Sequence, residues 1–166
     1  AHDPAPVVED GITFEQNAIK KAMCVARETG MMCLADDSGL SVNVLGGMPG
    51  VYSARFAGCE HNDQKNCVRL LALMEPVVDR YRHAHFTCAI ALAKPDLLLG
   101  VLEGTCDGFI TRHVIGTGGF GYDPVFYYPP LRKTFAELTP EEKNTVSHRS
   151  RALFSVKNFL AEYRIS

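Results

Sequence analysis

Two apolar runs of strand-like composition, HFTCAIALA (residues 85–93) and LLLGVLEGTC (residues 97–106), stand on either side of Lys94-Pro95-Asp96. Each run is long enough to cross a small domain, and proline and aspartate favour a tight turn, so the pair predicts an antiparallel hairpin. Any fold for this chain has to be built around that hairpin.

The neighbouring segments read as helices and further strands. TFEQNAIKKAMCVARETG has Thr13 as N-cap, Gln16 completing a capping box and Gly30 as terminator, with Phe14, Ala18, Ala22 and Val25 facing inward. Asn17 and Lys21 share another face of that helix. MMCLA reads as a strand, ADDSG as a turn, and LSVNVL as a second strand with Leu40, Val42 and Val44 on one side. NDQKNCVRLLALM predicts a helix from about Asn62 or Asp63, with Val68, Leu71 and Met74 inward. Thr139-Pro140-Glu141-Glu142 is another capping box, with proline at the first helical position. SHRSRALFSVKNFLAEY predicts a helix from Ser147, carrying His148 and Arg149 in its first turn and Leu153, Val156 and Leu160 inward. Strands and helices together make the class α/β.

Composition narrows the function. With 46% hydrophobic and 22% charged residues, the 166-residue chain has what one globular domain needs to bury its own core. Lys and Arg total 17 against 19 acidic residues, a net charge of -2, so no polycationic surface drives it onto nucleic acid or membrane. No apolar run approaches a membrane span, and AHDPAPVVEDG is too polar for a signal peptide, so a soluble, cytoplasmic protein is expected. Six cysteines (Cys24, Cys33, Cys59, Cys67, Cys88, Cys106) show no C-x-x-C spacing and sit mostly in apolar stretches, as buried cytosolic thiols do.

Asp36 and Asp37 pose the sharpest chemical question, because adjacent carboxylates repel by about 1 kcal/mol in water and about 4 in a partly buried site. GTGGFG (Gly116 to Gly121) matches the dinucleotide fingerprint literally, yet Tyr122 to Phe126 reads on as a strand where that motif requires a helix. Asp37-Ser38-Gly39 resembles the aspartic protease triplet, in one copy. A phosphate site uses more of the residues. Glu9, Asp36 and Asp37 suit a hard cation such as Mg²⁺, Lys21, Lys143 and Arg149 suit anionic oxygens, and Phe120 and Tyr122 suit a base. Taken singly, Glu9 reads as a loop charge, Lys143 as a solvated helix residue and His148 as a cap or surface imidazole. Spacing alone does not show that these groups converge.

Four segments in order, EDGITFEQNAIKKA, ADDSGLSVNVLGGMPGVYSARFAG, GTGGFGYDPVF and TFAELTPEEKNTVSHRSRAL, resemble the inosine triphosphate pyrophosphatase family from about Glu9 to Leu153. The resemblance implies a two-lobed α/β fold, a mixed β-sheet with flanking helices and a nucleotide cleft between the lobes, usually as a homodimer. It implies Mg²⁺-dependent hydrolysis of ITP, dITP and XTP to the monophosphate and pyrophosphate. By motif, Asp37 would be the catalytic carboxylate and a metal ligand, and Glu9 the second metal ligand. Lys21 and Ser38 would contact substrate, with Phe120, Gly121, Tyr122, Asp123, Lys143, His148 and Arg149 around the base and sugar. Family members begin with a strand and a T/S-x-N-x-x-K turn, whereas this sequence begins at AHDPAPVVEDG. The expectation is therefore a single domain over residues 1–166 without the N-terminal strand and helix. Two alternatives stand beside it, a non-catalytic nucleotide-binding relic of the fold and a dimeric aspartic protease.

Overall fold

The computed structural model describes residues 6–58 and 62–163, so Cys59 lies outside the described residues. α1 (Phe14–Thr29) forms where its capping signals place it. Thr13 accepts from the Gln16 N–H, and Gly30 closes the helix at φ 69°. The reciprocal half of the cap is shifted by one residue, with Gln16 Oε1 accepting from Ile12 N. α2 (Asp63–Met74), α3 (Pro140–Val146) and α4 (His148–Tyr163) complete the helices. Ser147 closes α3 and immediately precedes α4, whose first residue is His148.

Five strands run in sequence order across one sheet: β1 (Cys33–Val42), β2 (His83–Lys94), β3 (Leu97–Ile110), β4 (Phe126–Tyr128) and β5 (Lys133–Thr134). The α/β class is as read from the sequence, and the strands, expected as a mixed sheet, are antiparallel. β2 and β3 form the predicted hairpin, with Asp96 at φ 60° in its turn.

ADDSG is not a turn. Residues 36–39 lie inside the ten-residue β1, and the reversal comes later, at Gly46 and Gly47 with φ of 64° and 88°. Leu40 and Val42 are fully buried beyond it, so extending the ladder gains apolar burial that a Ser-Gly turn would forfeit. Val44, expected on the same side, is exposed in a short 3₁₀ turn.

The chain divides into two compact units. The first comprises Ala1–Ser38, Thr87–Thr105 and His148–Ser166. Within it, alternate residues of β2 face opposite ways, as the two-residue period of a strand requires. Ala89, Ala91 and Ala93 meet Ala18, Ala22 and Ala26 of α1, while Cys88, Ile90 and Leu92 meet Ala152 and Val156 of α4. Alanine against alanine lets α1 lie close to the sheet, which brings the polar side chains beside that stripe within reach of β1.

The second unit comprises Gly39–Phe86 and Cys106–Ser147. Its core is aromatic, with Phe126 4.6 Å from Phe86 and 4.8 Å from Phe135 between ring centroids. Buried Arg82 donates to the carbonyls of Met74, Val77, Ile110 and Thr111, which satisfies a loop and a strand end together.

Several inward residues differ from expectation. Val68 and Leu153 are 59% and 47% exposed, and the buried apolar positions are Cys67, Leu70 and Met74 in α2 and Ala152 and Val156 in α4. Of the described cysteines, all thiols, Cys67, Cys88 and Cys106 are buried, whereas Cys33 is half-buried and Cys24 exposed.

Candidate active site

Because Asp36 and Asp37 lie within a strand, their side chains leave β1 on opposite faces. Each meets its own cation, Lys21 of α1 for Asp37 and Arg149 of α4 for Asp36. This resolves the repulsion that adjacency in sequence suggested.

On the α1 face, Lys21 Nζ donates to Asp37 Oδ1 at 3.0 Å and to Glu9 Oε1 at 2.8 Å. Asn17, one helical turn before Lys21 and only 1% exposed, donates to Asp37 Oδ2 at 3.1 Å. Its own carbonyl oxygen accepts from Gly11 N at 2.8 Å, which ties the segment carrying Glu9 to the helix. Gly11 is needed for this approach, since a Cβ there would stand 2.6 Å from Asn17 Oδ1. Burial pushes the Asp37 carboxyl up from its ordinary value, against the opposing pull of Lys21 and Asn17. For Lys21, burial favours the neutral amine, but the bonds to Glu9 and Asp37 outweigh it and the ammonium is held more firmly than usual.

The donor set fits Mg²⁺. Among the described residues no group of three or more His, Cys, Asp or Glu side chains gathers as a ready-made metal cage. Glu9 and Asp37 nevertheless converge on one positive group, and Mg²⁺ takes one or two carboxylates and fills its octahedron with waters and phosphate oxygens.

On the opposite face, Arg149 directs Nε and Nη2 to Asp36 Oδ2 at 3.2 and 2.8 Å, and Nη2 also reaches Ser38 Oγ at 3.3 Å. Cys88 points its thiol at the same carboxylate oxygen from 3.8 Å. Burial raises that thiol to about 12, so it stays protonated and acts as a donor. His148, 5% exposed, begins α4, and β3 passes so close that a Cβ on Gly104 would stand 2.2 Å from the His148 carbonyl oxygen.

The second unit holds a separate cluster around the glycine loop. No helix starts at its later glycines, which removes the dinucleotide reading. Asp123–Val125 forms a 3₁₀ turn where a strand was expected, and β4 begins only at Phe126. Proline at residue 124 favours the turn, which the Phe126 N–H closes by donating to the Asp123 carbonyl. Asp123, 2% exposed, accepts from Phe120 N at 2.8 Å and pairs with Lys143. Burial raises its pKa, opposed by Lys143 and the Phe120 N–H. Gly119, at φ 74°, admits this carboxylate, because a Cβ there would meet Asp123 Oδ2 at 2.0 Å. Phe120 is 59% exposed with Lys143 Nζ 4.0 Å from its ring centroid, so an aromatic face and an ammonium are presented together. Tyr122, grouped with Phe120 in the sequence, is instead 3% exposed and donates to the Ser53 carbonyl, which makes it a support for the loop. Gly121 N donates to Asp63 Oδ2 at 2.6 Å.

Glu9, Lys21 and Asp37 therefore converge, Ser38 joins Arg149, and Phe120, Asp123 and Lys143 form their own group. Asn17 was recognisable only as a residue sharing a face with Lys21, and its clamp on Asp37 is a tertiary contact. Asp63 was legible only as a helix start, and Ser53 carried no sequence signal.

The profile of the Ham1 family matches residues 1–159. A dITP/XTP pyrophosphatase of Desulforamulus reducens is 54% identical over 147 residues, 89% of this chain and 73% of that protein. One from Geobacillus kaustophilus is 51% identical over 151 residues, 91% of this chain and 74% of the relative. The solved structure of the Staphylococcus aureus Ham1 protein superposes with a TM-score of 0.90 at 42% identity, covering 95% of this chain and 81% of that one. With both sequence and fold matched over nearly its whole length, the chain belongs to the Ham1 family.

Proposed function

We propose that this protein hydrolyses purine nucleoside triphosphates with a 6-oxo base of the non-standard kind, ITP, dITP and XTP, to the monophosphate and pyrophosphate, and so cleanses the nucleotide pool. The observation that carries the reading is the Lys21 ammonium held between Glu9 and Asp37 in a chain about half identical to dITP/XTP pyrophosphatases. A half-buried carboxylate beside a lysine suits phosphoryl chemistry, where most of the protein's work is positioning and charge stabilisation. Mg²⁺, held by Glu9 and Asp37, supplies neutralisation of the triphosphate charge when bound.

Asp37 takes the proton of the water that attacks the α-phosphorus, the bond from that phosphorus to the bridging oxygen breaks, and pyrophosphate leaves. Burial makes its carboxylate a stronger base than an exposed aspartate. Asn17 fixes the carboxylate's orientation. Lys21 and Ser38 contact phosphate oxygens, and His148 and Arg149 contact substrate. Phe120 stacks on the base and Lys143 donates to a 6-oxo group, where adenine offers a donor of its own. Sites built on such hydrogen bonds reject the mismatched ligand by about 10⁴.

The resemblance also supports a cytoplasmic homodimer without nucleic-acid or membrane partners. Among the described residues no helix is long and apolar enough to cross a membrane. The protease alternative is disfavoured because Asp37 is paired with an ammonium, whereas that chemistry needs a second carboxylate sharing its proton. A catalytically retired relic has no use for two adjacent carboxylates, each with its own cation.

Turnover of XTP by the full protein in ¹⁸O-labelled water tests the reading. One label in the monophosphate and none in pyrophosphate is expected, with loss of turnover on chelation of divalent cations. Label in pyrophosphate with none in the monophosphate, or release of labelled orthophosphate beside an unlabelled diphosphate, would overturn it.

A further inference from the structure

The hydrolytic reading uses Asp37 and leaves its neighbour without a task. Asp36 faces the other side of β1 from the Glu9, Lys21 and Asp37 cluster and is gripped by Arg149. Two donors from one edge of the planar guanidinium, Nε at 3.2 Å and Nη2 at 2.8 Å, fall on a single oxygen of Asp36. That arrangement holds one edge of the guanidinium against β1. Ser38 Oγ, on the same face of β1, lies 3.3 Å from Nη2. Cys88, fully buried on β2, braces the Asp36 oxygen from beneath.

Arg149 needs such a hold, because its side chain is 44% exposed and long, and would otherwise sample many rotamers. We propose that Asp36 is a positioning residue that presets the Arg149 guanidinium for the nucleotide, and that it neither ligates metal nor accepts a proton. The inference rests on the pyrophosphatase reading, in which Arg149 contacts substrate. Donors fixed before binding need no reorganisation when the ligand arrives, so the benefit falls on affinity. The adjacent carboxylates thereby divide the work, Asp37 serving the reacting phosphate and Asp36 serving the arginine.

The test compares wild type, Asp36→Asn, Asp36→Glu, Arg149→Ala and the Asp36→Asn/Arg149→Ala double variant. The readouts are kcat and KM for XTP, and hydrogen exchange at the Arg149 Nε–H by NMR. Asp36→Asn is expected to raise KM about tenfold with kcat within about twofold, and to add nothing once Arg149 is gone. Asp36→Glu recovers part of the loss, and the Nε–H of Asp36→Asn exchanges faster than that of wild type. A collapse of kcat at unchanged KM, an equal further loss in the Arg149→Ala background, or unaltered Nε–H exchange would overturn the assignment. Absence of turnover in wild type would overturn the pyrophosphatase reading instead, and the Nε–H exchange would then decide by itself whether Asp36 holds Arg149.

Discussion

The Lys21 ammonium of α1 stands 3.0 Å from the Asp37 carboxylate of β1, and that contact joins a helix face to the middle of a strand. It exists because the alanine stripe beside it brings the helix close to the sheet. Packing, rather than loop geometry, sets the position of the charge.

Asn17→Ala removes the carboxamide that bridges Gly11 N and Asp37 Oδ2. A partly buried N–H left without its acceptor costs about 1–3 kcal/mol, to be read from urea unfolding. Turnover falls as well, since the Asp37 carboxylate loses its orientation.

Asp37→Asn tests both catalysis and linkage. Burial, resisted by Lys21 and Asn17, makes the Asp37 carboxyl easier to protonate in the folded state than in the unfolded one. The native state then binds more protons just above the ordinary carboxylate range, so this group's contribution to stability falls as pH rises through that window. In metal-free buffer the variant's unfolding free energy should therefore vary less with pH there than that of wild type. Its turnover should drop by about 10²–10⁴.

Lys143→Met strips the counter-ion from Asp123 while keeping an apolar stem under Phe120. Asp123 is 2% exposed, and a buried charge deprived of its partner costs about 3 kcal/mol near pH 8. Burial already raises the Asp123 pKa and loss of Lys143 raises it further, so the penalty shrinks as pH falls through that pKa and the neutral acid forms. Denaturant curves at pH 8 and pH 5 check the trend.

Gly104→Ala places a methyl group against the His148 carbonyl and the Ala152 N–H, with contacts of 2.2 and 2.3 Å unless something moves. Those are backbone atoms, so the start of α4 must shift, at a cost of about 1–3 kcal/mol. Because His148 and Arg149 ride on that turn, KM for nucleotide should rise alongside the lost stability.

The hairpin, the α1 caps and the Thr139 capping box were legible because each depends on local chemistry. The position of the aspartate pair was not, since Ser-Gly reads locally as a turn and only burial of Leu40 and Val42 beyond it keeps β1 extended. Helix phases slipped for a related reason. Small residues such as Ala152 and Cys67 occupy the contacts with the sheet or core, while larger Leu153 and Val68 lie outside, so reading phase from the bulkiest side chains points to the wrong face. The residues singled out by motif resemblance fall into separate clusters, and that division follows from strand alternation and tertiary packing.

Initial rates of pyrophosphate release from dITP, XTP, dATP and dGTP, measured side by side with Mg²⁺ and the full protein, test the central claim most directly. The account predicts kcat/KM for dITP and XTP above that for dATP by a factor of about 10² or more. Equal hydrolysis of all four, or none of any, would contradict it.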